Sequence, residues 1–397
     1  MVRASLLLGS AVLAAAPVAV HAQDATWLAN PVSNQFNTPG NWTAGVPTGT
    51  ATFGASTTTS ISLAPGGVTV GGFQFDAGAP AYSFAGTSGL TFNGTGIVND
   101  SSNAPTISMT GANITFTNAA SGGNAQLTVN AGASLNISGL TSAGTSVGSI
   151  EGAGGVALGT RQLTTGSNNL STTLSGTISG GGSLVKEGAG TLSLAGTNTY
   201  TGGTTVTGGT LQIGDGGTSG TITGNIVDNA ALRFNRSDTL TIAGTISGTG
   251  TVTQAGSGTT HLTSNNSFSG TTTISAGTLQ LGSTQASGAT SGSLGSGDVV
   301  NNGALAVHRQ NANTIAGSIS GTGTLTNTGV GTVTLLGNNS YSGTTTISSG
   351  TVRVGDGGTT GTLGTGNIVN NSAFTGLLFN RSDSMTVANN ISGTGSL

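Results

Sequence analysis

Apolar and polar residues alternate in short runs along most of this 397-residue chain. An alternation with a period of two places the apolar members on one face of a β-strand. Four clear pairs of apolar residues with one polar residue between them are Leu192 and Leu194, Leu211 and Ile213, Leu232 and Phe234, and Leu240 and Ile242. Such runs begin and end at Gly-Gly, Asn-Asn, Gly-Asp-Gly or Ser-Gly, which are turn formers. The high content of glycine and β-branched residues argues against helix, so the chain is predicted to be all-β.

A unit of about 70 residues recurs in the second half of the sequence. The units begin at Gly176 (GTISGGGSL), Gly244 (GTISGTGTV) and Gly317 (GSISGTGTL), which are 68 and 73 residues apart. A fourth unit begins with NNISGTGSL at Asn389. Residues 23–175 lack this period but contain the same short alternating runs.

Recurrence in register favours a solenoid over a two-sheet sandwich, because each repeat of a solenoid buries its apolar face against its neighbours. The predicted fold is a right-handed, single-stranded parallel β-helix with roughly 20–25 residues per coil and about three coils per unit. Counted from Gln23 to Leu397, the predicted β-helix would have about 15–19 coils and form a rod of roughly 70–90 Å. We predict a capping and solenoid region at 23–175 and a repeat solenoid at 176–397.

The run from Glu187 to Gly217, EGAGTLSLAGTNTYTGGTTVTGGTLQIGDGG, resembles the autotransporter-associated β-strand repeat. That repeat occurs in the secreted passenger regions of bacterial type V autotransporters, and its motif is matched three times between Gly176 and Leu397. Residues 25–47 look more loosely like the tryptophan-containing start of such passengers. The resemblance implies a β-helical passenger, displayed on or released from a Gram-negative cell, that serves adhesion, aggregation or a stalk more often than catalysis.

Such passengers normally end in an outer-membrane barrel of longer alternating strands with aromatic girdles. The sequence instead stops nine residues into its fourth unit. We therefore expect a fragment, whose association with the outer membrane depends on a C-terminal barrel that the sequence from Met1 to Leu397 does not include.

The stretch from Met1 to Ala22 has the pattern of a secretory signal peptide. Arg3 precedes an apolar run from Leu6 to Val20, and Val20-His21-Ala22 offers a cleavage site after Ala22. The apolar run is short and contains Pro17, so it is a poor membrane anchor.

Charged residues make up only 5% of the chain, with one lysine and a net charge of −3. Nucleic-acid and anionic-lipid partners need basic clusters, which this sequence lacks. There is no cysteine, so neither disulfides nor thiolate metal sites contribute.

The glycine-rich stretches are interpreted as turns. A phosphate-binding loop needs a lysine after its glycines, but Lys186 follows Leu184 and Val185. Asp215 and Asp356 lie in Gly-Asp-Gly-Gly turns that could be compared with calcium-binding repeats. In the second unit Ser283 replaces the aspartate, so no metal or cofactor is expected.

The histidines align with ordinary polar residues of the other units. His261 aligns with Ser193 and Thr334, which we expect to point outward into solvent. His308 falls at a turn with no carboxylate or nucleophile nearby, and Arg353 aligns with glutamines at an outward position.

An arginine recurs at one position of each unit, followed two residues later by an acid or amide. These pairs are Arg236 and Asp238, Arg309 and Asn311, and Arg381 and Asp383. One interpretation is an arginine ladder for acidic sugars; the favoured one is a turn clasp between the two side chains. With three coils between copies, the arginines would be about 14 Å apart, too far for one compact site.

Aromatic residues also have two interpretations. Tyr200, Phe268 and Tyr341 share one position, which could be a sugar platform but is favoured as packing at a coil corner. Trp27 and Trp42 are expected to cover the open apolar end, because solenoids need caps.

The sequence favours a surface-exposed or secreted passenger segment that acts as a non-catalytic stalk or adhesin scaffold and carries no catalytic, cofactor or metal residues. Its expected partners are glycans or proteins of host or neighbouring cells. The alternative is a β-helical enzyme acting on polysaccharides, placed near Glu151 and Arg161. A flat ice-binding ladder is disfavoured because Thr-rich runs such as 204–207 return once per unit only.

Overall fold

The computed structural model describes residues 22–283 and 290–396, and nearly all regular structure in them is β-strand. A single turn of 3-10 helix spans Pro39–Asn41. The predicted signal peptide lies, apart from Ala22, outside the described residues.

The strands are short, as the runs between turn formers predict. In the part before the repeats they are β1 (Ala25–Thr26), β2 (Thr50–Phe53), β3 (Ser60–Ser62), β4 (Val68–Phe75), β5 (Ser83–Gly86), β6 (Leu90–Asn99), β7 (Thr106–Met109), β8 (Ile114–Asn118), β9 (Gly122–Val129), β10 (Ser134–Leu140), β11 (Gly144–Glu151), β12 (Gly155–Ala157), β13 (Gln162–Thr165) and β14 (Thr172–Leu174). In the repeats they are β15 (Ile178–Ser179), β16 (Leu184–Lys186), β17 (Thr191–Leu194), β18 (Thr204–Val206), β19 (Thr210–Ile213), β20 (Ile226–Asp228), β21 (Ala231–Phe234), β22 (Thr239–Ile242), β23 (Ile246–Ser247), β24 (Thr251–Gln254), β25 (Thr259–Leu262), β26 (Thr272–Ile274), β27 (Thr278–Leu281), β28 (Val299–Asn301), β29 (Ala304–Val307), β30 (Asn313–Ile315), β31 (Ile319–Ser320), β32 (Thr324–Asn327), β33 (Thr332–Leu335), β34 (Thr345–Ile347), β35 (Thr351–Val354), β36 (Ile368–Asn370), β37 (Leu377–Phe379) and β38 (Ile391–Ser392).

Parallel pairing joins these strands into five sheets. In spatial order, the first sheet is β1-β2-β4-β6-β8-β10-β12-β15, and the second is β3-β5-β7-β9-β11-β13-β16-β18-β20-β23. The third is β14-β17-β19-β21-β24-β26-β28-β31, the fourth β22-β25-β27-β29-β32-β34-β36-β38, and the fifth β30-β33-β35-β37. The chain winds through about 16 turns of a β-solenoid, which confirms the predicted all-β parallel fold and its number of coils.

The core lies inside the coil, on the faces that the alternation predicts. Leu211 stacks in register between Leu192 and Leu232, and all three are buried. All four apolar pairs named above point inward and are at most 2% exposed. The register that joins Thr210 to Ala231 and Ala231 to Thr251 shows that one coil here lies at the short end of the predicted range.

Each coil of the repeat region has three sides, and the unit does not fit a whole number of coils. Strands β16, β18, β20 and β23 stack in the second sheet, but β24, the counterpart of β16 in the next unit, lies in the third. The counterparts β17, β25 and β33 lie in the third, fourth and fifth sheets. One unit therefore takes three and one third coils. The expectation of three coils with equivalent residues stacked above one another is wrong, because each coil is shorter than one third of a unit.

Glycine is required where neighbouring coils touch through their backbones. A Cβ atom on Gly176 would overlap the carbonyl oxygen of Gly154, one coil earlier. The same contact recurs one coil later, where a Cβ on Gly196 would overlap the carbonyl oxygen of Gly176. Part of the high glycine content thus follows from the close stacking of coil corners.

The N-terminal end is closed by the two tryptophans, as predicted. Trp27 and Trp42 pair through an antiparallel bridge, and their rings meet edge to face with centroids 5.0 Å apart. Their indole N–H groups donate to the carbonyls of Thr58 and Phe36 at 3.0 and 2.7 Å. Beneath them, Phe53 has four further aromatic rings within 5.1–5.3 Å, so the first coils have an aromatic core.

Candidate functional site

The recurring arginine forms a clasp over the loop of residues 214–220. Nε and Nη2 of Arg236 donate to the two carboxylate oxygens of Asp238 at 2.8 and 2.7 Å. Nη1 and Nη2 also donate to the carbonyls of Gly220 and Thr218 at 2.8 and 2.6 Å. The guanidinium therefore ties the Gly-Asp-Gly-Gly loop to the following coil, and its hydrogen bonds to Asp238 lower the pKa of that carboxyl.

The clasp recurs in both later units. Arg309 donates to Asn311 at 2.8 and 3.0 Å and to the carbonyls of Gly292 and Thr290 at 2.9 and 2.6 Å. Arg381 binds Asp383 at 2.8 and 2.7 Å and donates to the carbonyl of Gly361 at 2.6 Å. The interpretation as a clasp is confirmed, and its additional bonds to the loop carbonyls were not predicted.

The clasp arginines do not form a ladder. Arg236 and Arg309 are 8% and 6% exposed, so their donors are directed at the protein itself. They follow β21 and β29, while Arg381 follows β37, and these strands belong to three different sheets. Equivalent arginines therefore lie on different sides of the coil, and the expectation of one column with a fixed spacing is wrong.

The aromatic residues of the shared position are packed inside the coil. Tyr200, Phe268 and Tyr341 are all fully buried. The hydroxyls of Tyr200 and Tyr341 each pair at 2.6 Å with a threonine hydroxyl, that of Thr204 or Thr345. Burial raises the pKa of both tyrosines. The packing interpretation is confirmed, because no ring face is open to a sugar.

The expectation that His261 is solvated is wrong. It is 7% exposed, and its counterparts Ser193 and Thr334 are buried as well. These residues do point away from the core, but each is in register with a long side chain on the next coil. For Ser193 that neighbour is Gln212, whose amide donates to its hydroxyl at 3.3 Å. For His261 the neighbour is Gln280.

His261 and His308 have different surroundings. Burial lowers the pKa of His261, and the charge of His308 lowers it further. Nδ1 of His308 pairs with the hydroxyl of Thr328 at 2.9 Å. Arg353, predicted to point outward, is half-buried on β35 in register with Thr334.

The aspartates of the Gly-Asp-Gly-Gly turns are exposed, and Asp215 binds its own turn. Asp215 is exposed and accepts the backbone N–H of Gly217 at 3.2 Å. Asp356 is also exposed, and Ser283 stands at the corresponding place in the second unit. Within residues 22–283 and 290–396, no group of three histidine, aspartate or glutamate side chains could hold a metal.

Glu151 and Arg161, the proposed centre of an enzyme site, are not brought together. Glu151 ends β11 and accepts from Gln126 and Thr128, both at 3.0 Å. Arg161 precedes β13, whose first residue pairs with the opposite end of β11. Glu151 and Arg161 therefore lie near opposite ends of β11. The length of this strand, at about 3.3 Å per residue, places them about 23 Å apart.

The structure also contains buried polar side chains that the sequence analysis missed. In each unit, two polar residues point inward in one column with an apolar residue between them. The columns are Lys186-Val206-Asp228, Gln254-Ile274-Asn301 and Asn327-Ile347-Asn370. All six polar side chains are at most 1% exposed. Aligning the units by inward position would have revealed them, since every unit is polar at both places.

Lys186, the only lysine of the chain, is part of such a column. Its ammonium group donates to the carbonyls of Glu187, Gly188 and Gly208 at 2.7, 3.0 and 3.1 Å. Burial lowers the pKa of Lys186, and the nearby Glu187 opposes that change. The amine thus joins two consecutive coils from within.

Replacing Lys186 by methionine is expected to lower the free energy of unfolding by about 1–3 kcal/mol, because three buried carbonyls lose their donor. Lys186→Gln is expected to cost less, since Gln254 at the same place donates to the carbonyls of Gly256 and Gly258. Urea unfolding followed by circular dichroism measures both. Equal stability of Lys186→Met and the parent would contradict this role of the ammonium group.

These features define a structural β-solenoid built from a duplicated unit and fastened by repeated internal clasps. Residues 184–213, 252–281 and 325–354 match the passenger-associated-transport-repeat family. They cover the equivalent four-strand segments β16–β19, β24–β27 and β32–β35.

Over 87 residues, 21% of this chain, the sequence is 46% identical to the adhesin BmaC autotransporter of Brucella suis biovar 1 (strain 1330). The matched segment covers 2% of that adhesin, so the chain corresponds to a small part of this relative. No solved structure matches the chain. The predicted resemblance to autotransporter passenger repeats is confirmed for these segments: three of them match the passenger-associated-transport repeat, and the matched relative is an autotransporter adhesin. Among the described residues, no helix is long and apolar enough to cross a membrane.

Proposed function

We propose that the chain is a non-catalytic segment of an adhesin-type passenger, a β-helical stalk that is exported and displayed outside a Gram-negative cell. The supporting observation is the use of its recurring polar and aromatic groups within the repeats themselves: clasp arginines, buried aromatics and inward polar columns all bind the protein's own backbone or core. The similarity to an autotransporter adhesin agrees with this proposal.

The partners proposed for the stalk are glycans or proteins on host or neighbouring cells. The outward strand positions carry mainly Thr, Ser, Asn and Gln, with few charges. Such a surface suits neutral hydroxyl-rich ligands, bound through many weak contacts along the rod, better than a single charged ligand.

Residues 23–397, displayed on beads, are expected to bind cell monolayers or a glycan array more strongly at high coating density than the free protein does in solution. The reason is that many weak contacts act together only when the rods are immobilised at high density. Beads coated with an unrelated protein of similar charge are the control. Equal binding by both kinds of bead would contradict the adhesive role.

The enzyme alternative is tested with the same preparation. Incubation with acidic and neutral polysaccharides is expected to leave their chain length unchanged by size-exclusion chromatography. Time-dependent shortening, or the ultraviolet absorbance of unsaturated sugar products, would contradict the non-catalytic proposal.

A further inference from the structure

The second polar position of the inward column holds an asparagine in two units and Asp228 in the first. In Asn301, Oδ1 accepts the backbone N–H two residues on, at 3.2 Å, and Nδ2 donates to the carbonyl of Thr324 at 2.9 Å. Asn370 repeats both bonds: Oδ1 accepts from Ser372 at 3.2 Å, and Nδ2 donates to the carbonyl of Ser396 at 2.7 Å. The amide therefore joins its own strand to the start of the next coil.

Asp228 occupies the same local structure. Its Oδ1 accepts the backbone N–H of Ala230 at 3.1 Å, and its carbonyl accepts the N–H of Gly250 at 2.7 Å. The corresponding backbone bond from Gly323 to Asn301 is also 2.7 Å. The carboxyl group presses on Gly250, where a Cβ would come within 2.5 Å of both carboxyl oxygens.

The difference lies in the second carboxyl oxygen. Oδ2 of Asp228 is buried and has no hydrogen-bond partner among the described residues. Oδ2 of Asp228 corresponds to the Nδ2 groups of Asn301 and Asn370. Those groups donate to the carbonyl of the residue that follows Gly323 or Gly395, the glycines that correspond to Gly250. In the first unit that residue is Thr251. An ionised carboxylate would direct a negative oxygen at a region that supplies a carbonyl acceptor in the other units, and burial makes such an unpaired charge costly.

We propose that Asp228 is a neutral carboxylic acid in the folded protein at mildly acidic pH, that its Oδ2–H group donates to the carbonyl of Thr251, and that loss of this proton weakens the contact between the two coils. Protonation converts the carboxylate into a donor–acceptor pair, which is the hydrogen-bonding pattern of the asparagine amide. The group would act as a pH-sensitive joint between coils that the other units join through an amide, which does not titrate.

In the part of the chain that the structure describes, the surroundings of Asp228 supply no cation to hold it ionised. The neighbouring strands of its sheet, β18 and β23, have no ionisable side chain, and residues 248–251 are Gly-Thr-Gly-Thr. On β21, Arg233 is exposed on the outer face. Lys186 is two strands away in the same column, and its ammonium group donates to carbonyls of its own coils. Accordingly, burial raises the pKa of Asp228 to about 6, although the backbone N–H groups of Ala230 and Leu232 oppose the change.

The pKa of Asp228 differs between the folded and unfolded states, and this difference sets the direction of the pH effect. The unfolded carboxyl titrates near its ordinary pKa of about 3.9, below the folded value. The stabilisation is therefore complete below about pH 4, is lost as the pH rises through about 6, and changes little above about pH 7.

The test compares the parent with Asp228→Asn, which installs the side chain of the other two units, by thermal unfolding of residues 23–397 between pH 4 and pH 8. The parent is expected to lose a few degrees of Tm relative to the variant as the pH rises from 4 to 6.5. Amide hydrogen exchange of Gly250 in the parent should accelerate over the same range, beyond the intrinsic effect of pH measured on Gly323. The reverse variant Asn301→Asp is expected to acquire the same pH dependence.

A Tm difference between the parent and Asp228→Asn that stays constant with pH would overturn the proposal. A second measurement does not depend on the folding of any variant: carbon-13 NMR of the parent, labelled at aspartate carboxyl carbons. One aspartate resonance of the parent that titrates near pH 6 supports the proposal, whereas titration of all aspartates at or below about pH 4 overturns it.

Discussion

Leu211→Asp is expected to make the rod unfold in more than one step and to lower its free energy of unfolding by about 4 kcal/mol or more, because the change combines two costs. Leu211 is fully buried between Leu192 and Leu232. The change removes a buried leucine, which costs about 2–5 kcal/mol, and adds a carboxylate without a partner in the core. Because each coil contacts only its neighbours, the damage should stay near β19 and leave distant coils folded.

Hydrogen exchange resolved by peptide measures this effect, together with urea unfolding. The matched control is Thr241→Asp, which places the same charge at an exposed outward position of β22. The control is expected to unfold within about 0.5 kcal/mol of the parent. Equal stability of the two variants would mean that the inward assignment of Leu211 is wrong.

Arg236→Lys is expected to release the loop of residues 214–220 and to cost about 3 kcal/mol, because charged donors are lost from loop carbonyls. Lysine keeps the positive charge but cannot replace the planar fork that binds Asp238 and two loop carbonyls together. The carbonyls of Gly220 and Thr218 would lose their donors, and hydrogen bonds to a charged group contribute about 1.5–3 kcal/mol each. The ion pair with Asp238 adds little of this, since the Asp238 side chain is 40% exposed and solvent screens its charge.

Limited proteolysis and hydrogen exchange of residues 214–221 measure the release of the loop. Arg233→Lys is the matched control, because Arg233 is exposed three residues earlier. It is expected to leave loop protection unchanged. If both variants protected the loop equally, the guanidinium fork would not be what holds it.

The fold could be predicted because two independent patterns agree. The alternation around Leu192, Leu211 and Leu232 determines which side chains point inward, and the recurrence of whole units requires that they stack. The glycine at position 176 is explained by the structure alone, since the carbonyl that excludes a side chain there belongs to another coil.

The arrangement of the repeats could not be predicted, because it depends on how far the length of one unit exceeds a whole number of coils. A small difference in coil length decides whether a unit returns to the same side or advances to the next. The buried polar groups escaped for a related reason. Lys186 and Asp228 look like surface residues in a linear sequence, and the carbonyls that accept from Lys186 come partly from the next coil. The expectation of a solvated His261 was wrong in the same direction, since it points outward but is buried in register with Gln280 on the neighbouring strand.

The advance by one side per unit gives the rod the geometry of a screw thread. Each unit moves its loop and clasp about 16 Å along the axis, at about 4.8 Å per coil, and one third of a turn around it. A flat membrane or a straight polymer lying against the rod would meet the same loop only once in three units, about every 48 Å. Duplication of this unit therefore lengthens the rod without placing equivalent loops in a continuous row along one side. Neighbouring rods would then have no continuous row of identical contacts through which to associate side by side.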